Sequence, residues 1–197
     1  MQMRRVKWTA AMMGLALLAP MAHGQRSSLG RIDVEEISVT ADVNPRTQSI
    51  AAKARVRFKA VDDKISAATF ELHNAMTVTG VTYLDDSRVD SSRNAQDFTV
   101  KLTLDPPMVK GSTREVVIRY EGKLTGQEES PVYGIKFASL KPEYGFLMYP
   151  SRWFPVAGYT SDRYKSEFVI TVPAGYKVVS GGLDSAKEEG GKVVTTC

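Results

Sequence analysis

The side chains that carry most metal and nucleophilic chemistry are scarce in this sequence. Its 197 residues hold two histidines, His23 and His73, and one cysteine, Cys197. A zinc site needs three or four His, Cys or carboxylate ligands. A Ser-His-Asp triad needs a histidine beside an activated serine, and the sequence has no Gly-x-Ser-x-Gly segment to provide such a serine. The sequence therefore predicts no metal ligand and no catalytic residue in this chain. His73 follows a strand-like segment and is expected to be a hydrogen-bonding residue at the surface or at a sheet edge.

The N-terminal residues have the order of a secretory signal peptide. A basic start, Met1 to Lys7, precedes an apolar run from Trp8 to Ala19, and Ala22 and Gly24 are the small residues of a cleavage site. We expect residues 1–24 to be a signal peptide and the protein to be exported, to the periplasm or outside the cell. The alternative is an uncleaved anchor, but the run is shorter than the roughly 20 residues that span a bilayer, so we expect no membrane span after cleavage.

The basic excess of the chain belongs mostly to this segment. The formal net charge is +4, from 26 basic and 22 acidic residues, and residues 1–24 contain Arg4, Arg5 and Lys7 but no acid. Without them the chain is nearly neutral. Because nucleic-acid binding depends on a clustered basic surface, we expect no nucleic-acid partner.

The rest of the chain has the period of β-strands. Apolar residues occupy every second position from Ile50 to Ala60, with Lys or Arg at four of the positions between them, and Ile37 to Val43 alternate in the same way. Asn44-Pro-Arg46 predicts a turn between these two strands. Further alternating segments include Phe98 to Leu104, which Asp105-Pro-Pro107 is expected to end because proline cannot donate to a ladder.

Together these patterns predict an all-β fold, an antiparallel β-sandwich of seven to nine short strands. No internal repeat or linker divides the chain, so residues 25–197 are predicted to form a single domain. Glu188-Glu-Gly-Gly191 is expected to be a hairpin loop, and the strand after it stops at Cys197. We therefore expect the domain to be truncated at its C-terminal end.

One stretch, between Glu121 and Lys165, departs from the alternation and is crowded with aromatic residues and prolines. Large rings on a loop pack under their own fold, against another domain, or beneath a ligand. Internal packing is one interpretation, and a ligand platform is another. The aromatic residues that we expect at a domain contact are Tyr144, Phe146, Trp153, Phe154 and Tyr159.

Several segments in this order resemble a known family. They are Arg31 to Pro45 with the strand Ile50 to Phe58, then Arg152-Trp-Phe-Pro155, Asp162 to Pro173 and Gly175 to Gly182. This arrangement resembles the N-terminal domain of the zinc aminopeptidases related to aminopeptidase N and leukotriene hydrolase, over residues 31–195. The chain departs from the family at Phe154-Pro155, which is followed by Val-Ala-Gly instead of the Cys-Phe-Asp-Glu-Pro found in many members. That departure leaves the substrate class of a longer parent open.

The resemblance implies a saddle-shaped β-sandwich that precedes a thermolysin-like catalytic domain. In that family a Gly-x-Met-Glu-Asn segment binds the substrate amine, and a His-Glu-x-x-His helix binds zinc. Neither motif occurs here. We therefore expect no cofactor in this chain, zinc only in a full-length parent, and no peptide hydrolysis by the chain alone. The implied partners are the catalytic domain of the same polypeptide and, in the full-length form, a peptide substrate.

The resemblance also implies a contribution to the substrate pocket. The family's domain often provides a Gln or Glu shortly before its Phe-Pro, and the matching stretch here, Met148 to Ser151, has neither. Tyr149 and Ser151 are the nearest candidates, and Arg152 is the residue in a position to stack or to bind a carboxylate. The rival hypotheses are a stand-alone exported β-sandwich that binds a ligand through the aromatic patch, and an adaptor that only positions a partner chain.

Overall fold

The computed structural model describes residues 30–126, 137–158 and 163–197. The predicted signal peptide and Tyr159 lie outside the described residues. The described part contains twelve β-strands and one four-residue helix, so the all-β prediction is confirmed. The elements are β1 (Ile32–Asn44), β2 (Ser49–Ala60), β3 (Ile65–Glu71), β4 (Met76–Thr82), β5 (Ser91–Asn94), β6 (Thr99–Met108), β7 (Thr113–Lys123), β8 (Ala138–Leu140), β9 (Gly145–Leu147), α1 (Pro150–Trp153), β10 (Lys165–Pro173), β11 (Ser185–Glu189) and β12 (Lys192–Thr196).

The strands form a large sheet, a small sheet and a hairpin. The seven-stranded sheet has the order β11-β12-β10-β1-β2-β7-β4, the three-stranded sheet the order β3-β6-β5, and β8 pairs with β9. One apolar core joins the two larger sheets, and its centre includes an edge-to-face contact between Phe58 and Phe70, whose ring centroids are 5.8 Å apart. Both side chains are fully buried. The fold is therefore a sandwich in which the small sheet packs on the large one, with β3 in contact with β2.

The first hairpin forms as the alternation predicts. The apolar residues of β1 and β2 face the core, and the charged residues between them face solvent. The turn is held locally, because the side-chain oxygen of Asn44 accepts hydrogen bonds from the backbone N–H groups of Arg46 and Thr47 at 3.0 and 3.4 Å. Strand pairing then runs from Ile32 opposite Ala60 to Asn44 opposite Ser49.

Three details of the predicted architecture are wrong. There are twelve strands in the described residues rather than seven to nine. An apolar alternation does not reveal β5 and β11, which are polar, or β8 and β9, which have only three residues each. The large sheet is mixed, because β1 pairs with β10 in parallel. A parallel neighbour needs a crossover connection, and the long segment between β7 and β10 provides it.

The third correction concerns the prolines at 106 and 107. They do not end the strand, since β6 continues to Met108. The ladder with β3 has an irregularity, and β6 is paired with β3 at Thr99 to Thr103 and again at Met108. The prolines lie between those paired stretches, where no ladder donor is needed. Phe98, in turn, precedes β6 and has a φ of 58°, so it is not part of the alternating strand.

Candidate functional site

The aromatic segment folds back on the end of the small sheet. Tyr149 precedes helix α1, Pro150 begins it, and the N–H of Phe154 donates to the carbonyl of Pro150. Proline suits a first helical position because its missing N–H would have no partner there. Two backbone contacts then fix the segment to the end of β3. His73 N–H donates to the carbonyl of Ser151 at 2.8 Å, and Glu71 exchanges hydrogen bonds with Val156 at 2.7 and 3.1 Å.

The three predicted pocket residues lie close together around this anchor. Tyr149 is half-buried, and its ring packs on that of Phe137 with the centroids 4.4 Å apart. Ser151 is half-buried and contributes its carbonyl to the contact with His73. The guanidinium carbon of Arg152 lies 5.8 Å from the ring centre of Phe137 and 5.9 Å from that of Phe98. Their contact with a substrate stays a prediction.

A column of stacked side chains continues from Arg152 to His73. The rings of Phe98 and His73 are 4.9 Å apart. His73 is only 9% exposed, so it is not a surface residue, but it follows β3, an edge strand of the small sheet, and forms hydrogen bonds as predicted. Its Nδ1 accepts a hydrogen bond from the N–H of Ala75 at 3.1 Å. Burial, followed by the charges of Arg152 and Arg93, lowers the pKa of His73 from 6.5 to about 4. The imidazole is therefore neutral near pH 7, as its acceptor role requires.

Arg93 is a residue of this region that sequence patterns did not select. One of its terminal nitrogens donates to the carbonyl of Leu72 and the other to that of Met76. It thereby ties β5 to the chain between β3 and β4. An arginine in a short polar strand has no sequence signal for such a role, because both acceptors are backbone carbonyls in another part of the chain.

The expected domain-contact aromatics divide into two groups. Trp153 and Phe154 are 5% and 3% exposed, and each packs on Phe168 with ring centroids 5.3 Å apart. Tyr144 is 53% exposed and Phe146 is half-buried. The internal-packing interpretation thus describes Trp153 and Phe154 well, while Tyr144 and Phe146 have surface left for a partner. A contact with another domain stays a prediction for all four and for Tyr159, which is not described.

A groove of about 820 Å³ lies between this segment and the end of the large sheet. Its floor is the inner face of β10, with Phe168, Ile170 and Val172, and its walls come from β9, α1 and the chain before β11. The floor residues Ile170 and Val172 are only 9% and 5% exposed. Apolar side chains at the rim are strongly exposed, with Met148 at 68% and Val179 at 78%. The rim of the groove therefore presents apolar surface to solvent.

The described residues do not fit a metal. They contain no group of three or more His, Cys, Asp or Glu side chains that could hold an ion, so the donor set of this part of the chain does not suit zinc. Within the same residues, no helix is long and apolar enough to cross a bilayer.

The described residues thus form a β-sandwich with an apolar groove over β10. No protein-family model matches the sequence, and no curated protein matches it. Solved structures do. A mutant of the M1 zinc metallopeptidase from Deinococcus radiodurans superposes with a TM-score of 0.72 at 21% identity, over 86% of this chain and 39% of that chain. The same mutant bound to a Tyr-Ser-Ala substrate gives 0.71 at 20% identity.

A two-domain M1 zinc metallopeptidase mutant bound to L-arginine gives a TM-score of 0.65 at 20% identity, over 86% of this chain and 40% of that chain. The chain thus has the fold of one part of these metallopeptidases and spans about two fifths of their length. This confirms, at the level of the fold, the resemblance that the sequence segments indicated.

Proposed function

We propose that this chain is the N-terminal, non-catalytic domain of an exported zinc metallopeptidase of the aminopeptidase type. In this proposal the domain packs on the catalytic domain of the same parent polypeptide and helps to shape the pocket for a peptide substrate. Zinc would be bound by the rest of the parent. Export would follow from cleavage of residues 1–24.

The observation that carries the proposal is the groove over β10. Burying apolar surface is favourable by roughly 25 cal/mol per Å², and a monomeric domain seldom leaves a contiguous apolar patch open without a partner. Met148, Val179 and Tyr144 surround such a patch here. The similar solved chains are about two and a half times as long as the matched part, which gives the groove an occupant of defined chemistry, the peptidase domain.

The first experiment reads the coding DNA beyond the codon for Cys197. A frame that continues into Gly-x-Met-Glu-Asn and His-Glu-x-x-His supports the proposal. A stop codon directly after Cys197 contradicts it and favours the stand-alone binding module. In the same cells, mass spectrometry of the exported protein is expected to find a mature N-terminus at Gln25.

The second experiment tests the groove with two matched substitutions in the longer product. Val179→Asp places a charge in the groove, while Val109→Asp does so at a valine that is 60% exposed but does not line the groove. We expect Val179→Asp to separate the unfolding transitions of the two domains and to lower aminopeptidase activity, because a buried charge opposes packing. Val109→Asp is expected to change neither. Equal effects of the two substitutions would show that the groove is not the interface.

A further inference from the structure

Arg152 is held in an unusual environment for a charged side chain. Its guanidinium carbon lies 5.9 Å from the ring centre of Phe98 and 5.8 Å from that of Phe137. Phe98 precedes β6 and Phe137 precedes β8, so two distant parts of the chain contact it. Rings within about 6 Å attract a cation, so both rings help to hold the guanidinium in place.

The charge of Arg152 has no acidic partner among the described residues. Its Nη1 is buried without a hydrogen bond, and in the described part of the chain neither Nε nor Nη2 has an acceptor. Other arginines are satisfied: Arg57 pairs with Glu35 at 3.1 Å, and Arg93 donates to two backbone carbonyls. A partly buried charge with unused donors is costly unless an anion completes it.

The charged surroundings also favour an anion. The groups that affect the pKa of neighbouring His73 are Arg152 and Arg93, both positive. No Asp or Glu side chain in the described ranges forms an ion pair with either of them. Among the described residues, the charges that act on His73 are therefore positive. Arg93 already directs both terminal nitrogens to backbone carbonyls, whereas Arg152 has no acceptor in the same part of the chain.

We propose that Arg152 is a binding site for a carboxylate group of a peptide. Because Nη1 is buried, the ligand approaches along the edge formed by Nε and Nη2. That edge presents two parallel N–H donors, which match the two oxygens of a carboxylate. Tyr149 and Ser151, the other predicted pocket residues, lie within three positions of Arg152 along the chain. The choice of a peptide as the source of the carboxylate rests on the proposed function.

The test is an NMR titration of the full chain that follows the Nε–H signals of the arginines. The probes are acetyl-Ala-Ala-Ala with a free C-terminus, the same peptide as its C-terminal amide, acetyl-Ala-Glu-Ala amide and inorganic phosphate, at constant ionic strength. We expect a carboxylate peptide to shift the Arg152 signal with a dissociation constant of about 1 mM or below, and the all-alanine amide to leave it unchanged. The free-acid peptide and the glutamate peptide distinguish a terminal carboxylate from a side-chain carboxylate.

Substitutions of Arg152 test whether binding depends on the paired donors of the guanidinium or on positive charge alone. Arg152→Gln is expected to weaken binding by at least about tenfold, and Arg152→Lys to weaken it because an ammonium lacks the paired donors. Arg46→Gln is the matched control, since Arg46 also lies over a ring, that of Tyr176 at 5.7 Å, but not in this site. If Arg152→Gln does not fold, Arg152→Lys and the direct signal of Arg152 in the unmodified chain still decide the question.

Three outcomes overturn the proposal. They are equal binding of the free-acid peptide and its amide, phosphate binding as tight as that of the carboxylate, and the absence of any shift of the Arg152 signal up to about 10 mM peptide. The titration uses the chain alone, whereas the proposed function depends on the downstream coding sequence and on domain packing. Either can therefore fail without the other.

Discussion

The buried histidine gives a quantitative prediction for the pH dependence of stability. His73 is 9% exposed, its Nδ1 accepts a hydrogen bond from Ala75, and Arg152 and Arg93 are the charged groups that act on it. The perturbation is His73→Asn. Asparagine places an amide oxygen near the position of Nδ1, so it can keep the acceptor, but it does not gain a proton in acid.

The expected magnitude follows from the pKa of His73, which folding lowers from 6.5 to about 4. Below pH 6.5 the unfolded chain binds a proton that the folded chain does not take up until the pH approaches 4. Stability is therefore full above pH 6.5 and is lost as the pH falls toward 4, with no further loss below that value. The difference amounts to at most about 3 kcal/mol, a large share of the roughly 5–15 kcal/mol that stabilise a typical domain.

The assay is urea unfolding followed by tryptophan fluorescence, with the buried Trp153 as a reporter. The free energy of unfolding is measured for both proteins from about pH 7 to about pH 4, and the difference between them is plotted. Carboxylates also titrate in this range, and the subtraction removes their common contribution. We expect the unmodified protein to lose up to about 3 kcal/mol more than His73→Asn. Parallel curves for the two proteins would refute the assigned role of His73.

Two further substitutions test the packing. Gly122→Ala is expected to prevent normal folding, because a Cβ there would lie 1.9 Å from the carbonyl oxygen of Ala75. Gly80→Ala is expected to be tolerated, because a Cβ at that position would have no atom within 4 Å. Circular dichroism and melting temperatures compare the two variants. Phe70→Ala removes a fully buried ring and is expected to cost about 3–5 kcal/mol in urea unfolding. A cost below 1 kcal/mol would contradict the central position given to the Phe58–Phe70 contact.

The candidate site was only partly visible in the sequence. Its residue types and the order of its segments selected Tyr149, Ser151 and Arg152, and the structure brings them to one short turn beside β3. Phe98 was assigned to a strand, because its spacing from Val100 continues the alternation. Its positive φ turns it out of that strand and against Arg152. Sequence spacing does not report such a change of backbone conformation.

Local sequence patterns were sufficient to predict the parts of the fold that depend on neighbouring residues. Alternation with a period of two placed the apolar residues of β1 and β2 on one face, and Asn44-Pro-Arg46 set the turn between them. These features follow from strand geometry and from hydrogen bonds between near neighbours, so they can be recognised within a dozen residues.

Which distant segments meet is apparent only in the folded chain. Folding places β10 parallel to β1, buries His73, and brings Phe98 and Phe137 close to the guanidinium of Arg152. None of these contacts has a local signature, because each joins residues far apart in the chain and depends on how much apolar surface the other elements leave to be covered. The groove over β10 has the same origin, since its lining comes from β9, α1, β10 and the chain before β11.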